Sequence, residues 1–224
     1  MTESPDSPVP LSATADVGVS NPALSPVAQL RRESRSWLAP FIEAVIDAGL
    51  RVLDLGCGQH YADACLLADS GFTVFACDRV YAHPMGPEVH AFAADIAEPL
   101  PVRTAAIDAV LASLSLHYFP WVTTIEIFAE IHRVLRPGGL MLLRVNAHDD
   151  LNYGAGIGEE IEPGYFHSNG EYGLPRKRFF TEDAIRAALA GLFDISHLTH
   201  RSIDRYGAPK QVWECLARAS ACAH

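Results

Sequence analysis

Three aspartates, each at or near the end of an apolar run, carry the clearest chemical signal in this chain. Asp54 stands inside Val52-Leu53-Asp54-Leu55 and leads into Gly56-Cys57-Gly58, while Asp78 follows Phe72 to Cys77 and Asp95 follows Val89 to Ala94. Glycines at 56 and 58 let the backbone turn tightly, and they let a ligand approach where a Cβ would obstruct it. Asp78 lies twenty residues beyond Gly58, at the end of the next expected strand. An acid there accepts hydrogen bonds from ribose hydroxyls in a nucleoside-binding α/β fold.

Two cofactors compete for such a site. The dinucleotide fingerprint GxGxxG needs a third glycine at position 61, which is Tyr61, and an acid directly before the turn opposes a pyrophosphate. Asp54 instead suits a cationic ligand end, such as the amino group and sulfonium of S-adenosylmethionine. The residues favour S-adenosylmethionine over a nicotinamide dinucleotide. Cys57 reads as a small packing residue that contributes its backbone.

Other candidates follow the later apolar runs. His117 and Tyr118 come just after Ile107 to Leu114, where a histidine could take a proton from a hydroxyl or amine acceptor, or could only shape the pocket. Arg144 and Asn146 lie at the end of a fifth run, where open sheets bind ligands. Tyr153, Tyr165, His167 and Arg178 lie in or after a long polar stretch and are candidates to contact an acceptor. The cluster Arg176-Lys177-Arg178 reads either as a solvated loop or as a clamp for an anionic acceptor.

The elements that must position these residues alternate in type. Strands are expected at 51–55, 72–77, 89–94, 107–114 and 140–145, the fourth nearly continuous in apolar residues as a doubly covered parallel strand should be. Helices are expected over 61–70 and over 122–135, the second with apolar residues at three-to-four spacing and stopped by Pro137-Gly138-Gly139. A further helix is expected from Val27 to Ala48, interrupted at Pro40. Alternation of this kind implies a parallel sheet wound by right-handed crossovers. Residues 147–178 read as a long Gly-rich loop, which in a compact domain is usually functional. Thr181 then caps a helix ended by Gly191, and 193–200 with 211–218 read as two closing strands. Residues 1–26, with five prolines among small residues, read as a flexible tail. Residues 27–224 read as one domain.

Composition removes several function classes. The chain has 224 residues, 17 Lys plus Arg against 27 Asp plus Glu, and a net charge of −10. Nucleic-acid binding draws its affinity from neutralising phosphates, and this chain lacks the basic face for it. No apolar run approaches the roughly 18 residues of a membrane-spanning helix, and the acidic N-terminus does not resemble a secretory signal. Five scattered cysteines without a CxxC pair suit a reducing, cytoplasmic setting. No metal-ligand spacing is present.

Taken in order, residues 50–146 resemble the class I S-adenosylmethionine-dependent methyltransferases. Leu53 to Gly58 is similar to the family's first motif, around the methionine part of the cofactor. Asp78 matches the ribose-binding acid, with Arg79 beside it. Asp95 matches the residue that meets the adenine amino group, and Ile96 the one that packs on the ring. Ala112-Ser113-Leu114 matches the stretch flanking cofactor and acceptor, and Arg133 to Leu140 the turn into strand five. The likeness is nearest to small-molecule enzymes of the type 11 and tellurite-resistance-like kinds. It implies a Rossmann-like α/β fold, with a mostly parallel seven-stranded sheet and an antiparallel C-terminal hairpin. It also implies S-adenosylmethionine as cofactor and a small-molecule acceptor. The alternatives are a non-methylation reaction on the same bound sulfonium, and, less favoured, a nicotinamide-dependent oxidoreductase.

Overall fold

A computed structural model describes residues 34–39, 41–43, 51–80, 89–167, 175–205 and 207–221. The expected tail, the ends of the first helix and the stretch after Val80 lie outside these residues. Residues 34–39 and 41–43 are helical, and Trp37, Leu38 and Phe41 are buried.

The strands β1 (Arg51–Leu55), β2 (Thr73–Asp78), β3 (Val89–Ala93), β4 (Ile107–Ser113), β5 (Leu135–Asn146), β9 (Phe193–Arg205) and β10 (Ala208–Ala219) form one sheet. Its order is β3-β2-β1-β4-β5-β10-β9. The first five pair in parallel, and β10 pairs antiparallel with both β5 and β9. The expected seven-stranded sheet with its antiparallel hairpin is present. Its order reverses at β1, and ligands bind at the carboxyl edge beside such a reversal.

Side chains alternate across the sheet into two cores. One gathers Leu53, Leu55, Val110, Met141, Leu143 and Val145 under α2 (Trp121–Val134) and α3 (Glu182–Leu189). The other gathers Val52, Val74, Leu111, Leu140 and Leu142 under α1 (Ala62–Asp69) and the N-terminal helical residues. Helix α3 opens as expected, with the Thr181 hydroxyl accepting from the Ala184 amide at 3.1 Å. At the amino edge, opposite the site, the Arg51 and Arg136 guanidinium groups hold the Asp108 carboxylate.

Three boundaries differ from expectation. Strand β5 begins at Leu135, because the chain stays in the sheet through Pro137-Gly138-Gly139, bulging where Gly138 takes a left-handed backbone of φ 73°. Leu135 pairs with Ile107, and the register shifts before Ala109. Gly139 is required there, since a Cβ would come within 3.1 Å of the Asp108 carbonyl oxygen and 2.9 Å of that of Arg136. Strand β9 extends to Arg205 because it is the sheet edge, where polar residues can alternate into solvent. The stretch 147–178 is not simply a loop. Its described residues contain a 3₁₀ turn (Leu151–Tyr153) and a second antiparallel sheet of β6 (Glu159–Glu162), β7 (Tyr165–His167) and β8 (Arg176–Arg178). Among the described residues, no helix is long and apolar enough to cross a membrane.

Candidate functional site

At the carboxyl edge of β1, β2 and β4 a cavity of about 1250 Å³ opens. That exceeds the roughly 300–1,000 Å³ of a pocket holding one small ligand. Asp54, Gly56, Cys57, Gly58, Asp78, Arg79, Asp95, Ile96 and Ser113 line one end, joined by Asp63 from the first turn of α1. The structure thus brings every expected cofactor residue together.

The loop after β1 is closed upon itself. The Gly56 and Cys57 amides both donate to the Cys77 carbonyl oxygen, at 2.8 and 3.1 Å. The Gly58 amide donates to Asp78 Oδ2 at 3.0 Å, and Val80 donates to Asp78 Oδ1 at 3.3 Å. These amides are therefore spent inside the protein, whereas a diphosphate site leaves such groups aimed at the ligand. Gly56 has φ +72°, and a Cβ there would come within 2.4 Å of Ser115 Cβ. The glycine makes room for Ser115, not for a ligand as the sequence suggested. Gly58 faces open space, and its φ of +66° is what favours glycine.

Four carboxylates share this end. Asp54 is buried and its Oδ2 has no hydrogen-bond partner. Burial first, then the nearby Asp63 and Asp78, pushes its carboxyl well above the usual range. Such a group gains most from a ligand that brings a positive charge or a donor. Burial, reinforced by Asp54 and Asp78, raises the Cys57 thiol as well, so Cys57 is no thiolate nucleophile.

The second end is built from the segment after β4 and from the small sheet. Leu114 takes a left-handed backbone, φ 55°, which is costly for a residue with a Cβ and is tolerated where a site needs it. Ser113, Ser115, His117, Tyr118 and Phe119 all line the cavity beyond it. His117 is buried in a 3₁₀ turn (Leu116–Tyr118), its ring 4.1 Å from that of Tyr118. Tyr153, Tyr165 and His167 line the opposite wall with Arg176, Lys177 and Lys210.

Arg144, Asn146 and Arg178 do not line the cavity. Residue parity explains the first. Leu140, Leu142 and Arg144 alternate onto the face under the N-terminal helical residues, so Arg144 lies 4.2 Å over the Trp37 ring and donates to Glu214 at 2.6 Å. Asn146 falls on the same face, fully buried, and neither amide atom has a hydrogen-bond partner. Arg178 is buried behind the cavity wall, where it donates to Glu162, to the Pro163 carbonyl oxygen at 3.0 Å and to that of Phe119 at 3.3 Å. Glu162 also accepts from the Trp121 amide at 2.5 Å, and the Tyr165 hydroxyl donates to the Tyr118 carbonyl oxygen at 2.9 Å. These bonds tie the small sheet to the turn that carries His117 and Tyr118.

A comparison with protein families matches residues 53–143 to "Methyltransferase domain", the stretch from β1 through most of β5. That match lies within the parallel half of the sheet and covers less than half of the chain. A methyltransferase of Synechocystis sp. is 33% identical over 125 residues, which is 54% of this chain and 58% of that protein. The chain spans between a third and three-fifths of the curated relatives it matches. Among solved structures, an S-adenosylmethionine-dependent methyltransferase of Methanosarcina mazei superposes with TM-score 0.66 at 18% identity. The match covers 81% of this chain and 97% of that one. The 1,6-didemethyltoxoflavin-N1-methyltransferase of Burkholderia thailandensis, solved with 1,6-didemethyltoxoflavin and S-adenosylhomocysteine, gives TM-score 0.60 at 22% identity, covering 91% and 94%. At such identities these neighbours report the fold.

Among the residues lining the cavity that sequence reasoning missed are Asp63, Ser115, Lys210 and Ser34. Asp63 had a signal, an acid in the first turn of the helix after the glycine loop. Ser115 stands two residues after Ser113, and its buried Oγ has no hydrogen-bond partner. Lys210 had none, because only the pairing of β10 with β5 brings it to the cavity.

Proposed function

We propose that the protein is an S-adenosylmethionine-dependent methyltransferase acting on a small-molecule acceptor. The observation that carries this reading is the four-carboxylate end of the cavity. The Gly56, Cys57 and Gly58 amides are already satisfied there, and the buried Asp54 Oδ2 still lacks a partner. A diphosphate would meet repulsion and find the Gly56, Cys57 and Gly58 amides already engaged, whereas an ammonium group would meet Asp54. Asp78 holds the ribose hydroxyls, Asp95 receives the adenine amino group and Ile96 packs on the ring. Arg79 and Ser113 complete the rim.

When bound, the cofactor supplies an electrophilic methyl group, whose S–CH₃ bonding pair returns to sulfur as the acceptor's lone pair bonds to carbon. The chain's own task is positioning, which can supply much of the rate. The turn of His117 and Tyr118 forms one wall beside the acceptor, with His117 placed to take its proton. Tyr153, Tyr165 and His167 form the other wall, and residues 147–178 serve as the acceptor lid. The net charge of −10 supports a small molecule over a nucleic acid. The four described cysteines, none of them in a disulfide, fit a cytoplasmic enzyme.

A screen of small hydroxyl, amine, thiol and acid acceptors with methyl-labelled cofactor, read by mass spectrometry, tests the reading. Label should enter at least one acceptor and S-adenosylhomocysteine should form with it. With that acceptor, His117→Gln should lower turnover roughly 10²–10⁴-fold while cofactor affinity holds, if His117 takes the proton. A rise confined to the acceptor's KM would reduce His117 to a pocket wall. Cofactor binding without transfer to any acceptor class would contradict methyl transfer.

A further inference from the structure

Arginine outnumbers lysine 15 to 2 in this sequence, yet both lysines, Lys177 and Lys210, line the cavity, at the end away from the four carboxylates. They come from different sheets, Lys177 from β8 and Lys210 from β10. Lys210 is buried, pairs with the fully buried Asp150 at 2.5 Å and lies 4.4 Å over the Tyr153 ring. The Asp150 carboxylate also accepts from the Gln211 amide at 2.9 Å. The half-buried Lys177 stands near both Lys210 and Asp150. Burial, then the charge of Lys210, lowers the Lys177 ammonium, with Asp150 opposing. Arg176 adds a third cation to the lining. In a chain of net charge −10, the described lining of one cavity therefore has an acidic end and a cationic end.

We infer that Lys177 and Lys210 form a subsite for an anionic group of the acceptor, a carboxylate or a phosphate. This deepens the methyltransferase reading above and rests on it. The anion is the acceptor's anchor and not its methylated atom. Cations that grip a reacting anion stabilise it before reaction and lose that interaction as its charge is neutralised, which raises the barrier. Held at a distance, the same anion is gripped equally before and during transfer and supplies binding and orientation. The methyl-accepting atom is then a neutral hydroxyl or amine facing His117 and Tyr118. The acceptor class that follows is a small hydroxy- or amino-substituted acid.

Anion binding can be read without turnover. Inorganic phosphate and acetate are titrated into the full chain by nuclear magnetic resonance or calorimetry, with and without S-adenosylhomocysteine. Wild-type protein should bind at least one of them saturably. Lys177→Gln should weaken that binding by about tenfold or more, the loss expected for one charge-assisted bond. Lys177→Arg should restore most of it. Arg186→Gln, which removes an exposed cation paired with Glu182, should leave it unchanged. Equal anion binding in Lys177→Gln and wild type would overturn the subsite, as would no saturable binding in wild type. The two ideas fail separately. Absence of S-adenosylhomocysteine binding beside an intact, Lys177-dependent anion site would strike the cofactor reading and leave the subsite standing.

Discussion

At the β1–β3 end of the cavity, residues near in sequence or on adjacent strands hold one another. The Gly56, Cys57 and Gly58 amides close onto Cys77 and Asp78. At the other end the ties reach further along the chain: Arg178 reaches Phe119, Tyr165 reaches Tyr118, and Lys210 reaches Asp150 across 60 residues. The first end is written as a motif on a parallel sheet, while the second is assembled by folding. The cofactor end can therefore persist when the acceptor end is loosened, and damage to either end should be separable.

The largest effect expected from breaking this contrast is at Glu162. Glu162→Ala leaves the buried Arg178 without its carboxylate and frees the Trp121 amide, at a cost of about 3 kcal/mol, the low end for a broken buried pair because Glu162 is partly exposed. The small sheet should open locally, seen as faster hydrogen exchange over 159–167. Misplacing the 116–118 turn by about 1 Å is enough to cost roughly 10²-fold in turnover, with cofactor affinity changed no more than a few-fold. Equal losses in cofactor affinity would mean that the two ends are one unit.

Asp54→Asn should do the reverse at the other end. It removes a charge-assisted contact worth about 1.5–3 kcal/mol, which is one to two powers of ten in cofactor affinity. Stability should move the opposite way. The Asp54 pKa is raised on folding, mainly by burial, so its contribution to stability is complete only below the unfolded value and is lost as pH rises through the folded one. Above the ordinary carboxylate range, folding must therefore either bury this charge or take up a proton, a cost that the Asn variant avoids, so it should melt higher without ligand. The same shift sets a pH dependence. An ammonium beside Asp54 favours its ionised form, so binding releases a proton and affinity falls as pH drops through the ligand-free Asp54 value. Calorimetry across pH should show that slope in wild type and its loss in Asp54→Asn.

The contrast between the ends also sets what was legible in the sequence. Strand β4 announces itself because both faces are covered and its run is apolar except for Asp108 and Ser113. Asp54, Asp78 and Asp95 were readable because each stands inside or directly after an apolar run. The β6–β8 sheet was hidden by polar, glycine-rich residues that a small exposed sheet tolerates. The start of β5 was hidden by Pro137-Gly138-Gly139, a turn signal that the register shift with β4 absorbs. Arg144 and Arg178 looked available because a sequence does not reveal which face of a strand a partner will cover. Lys210 was invisible because its neighbours are set by an antiparallel pairing that no local pattern encodes.

The central claim is that the carboxylate-rich end of the cavity holds S-adenosylmethionine. Titration calorimetry on the purified chain tests it most directly, with S-adenosylmethionine, S-adenosylhomocysteine, NAD and NADP as separate ligands. The first two should bind at one site per chain, and the nicotinamide dinucleotides should give no heat. Saturable binding of NAD or NADP with no heat from S-adenosylmethionine would contradict the account.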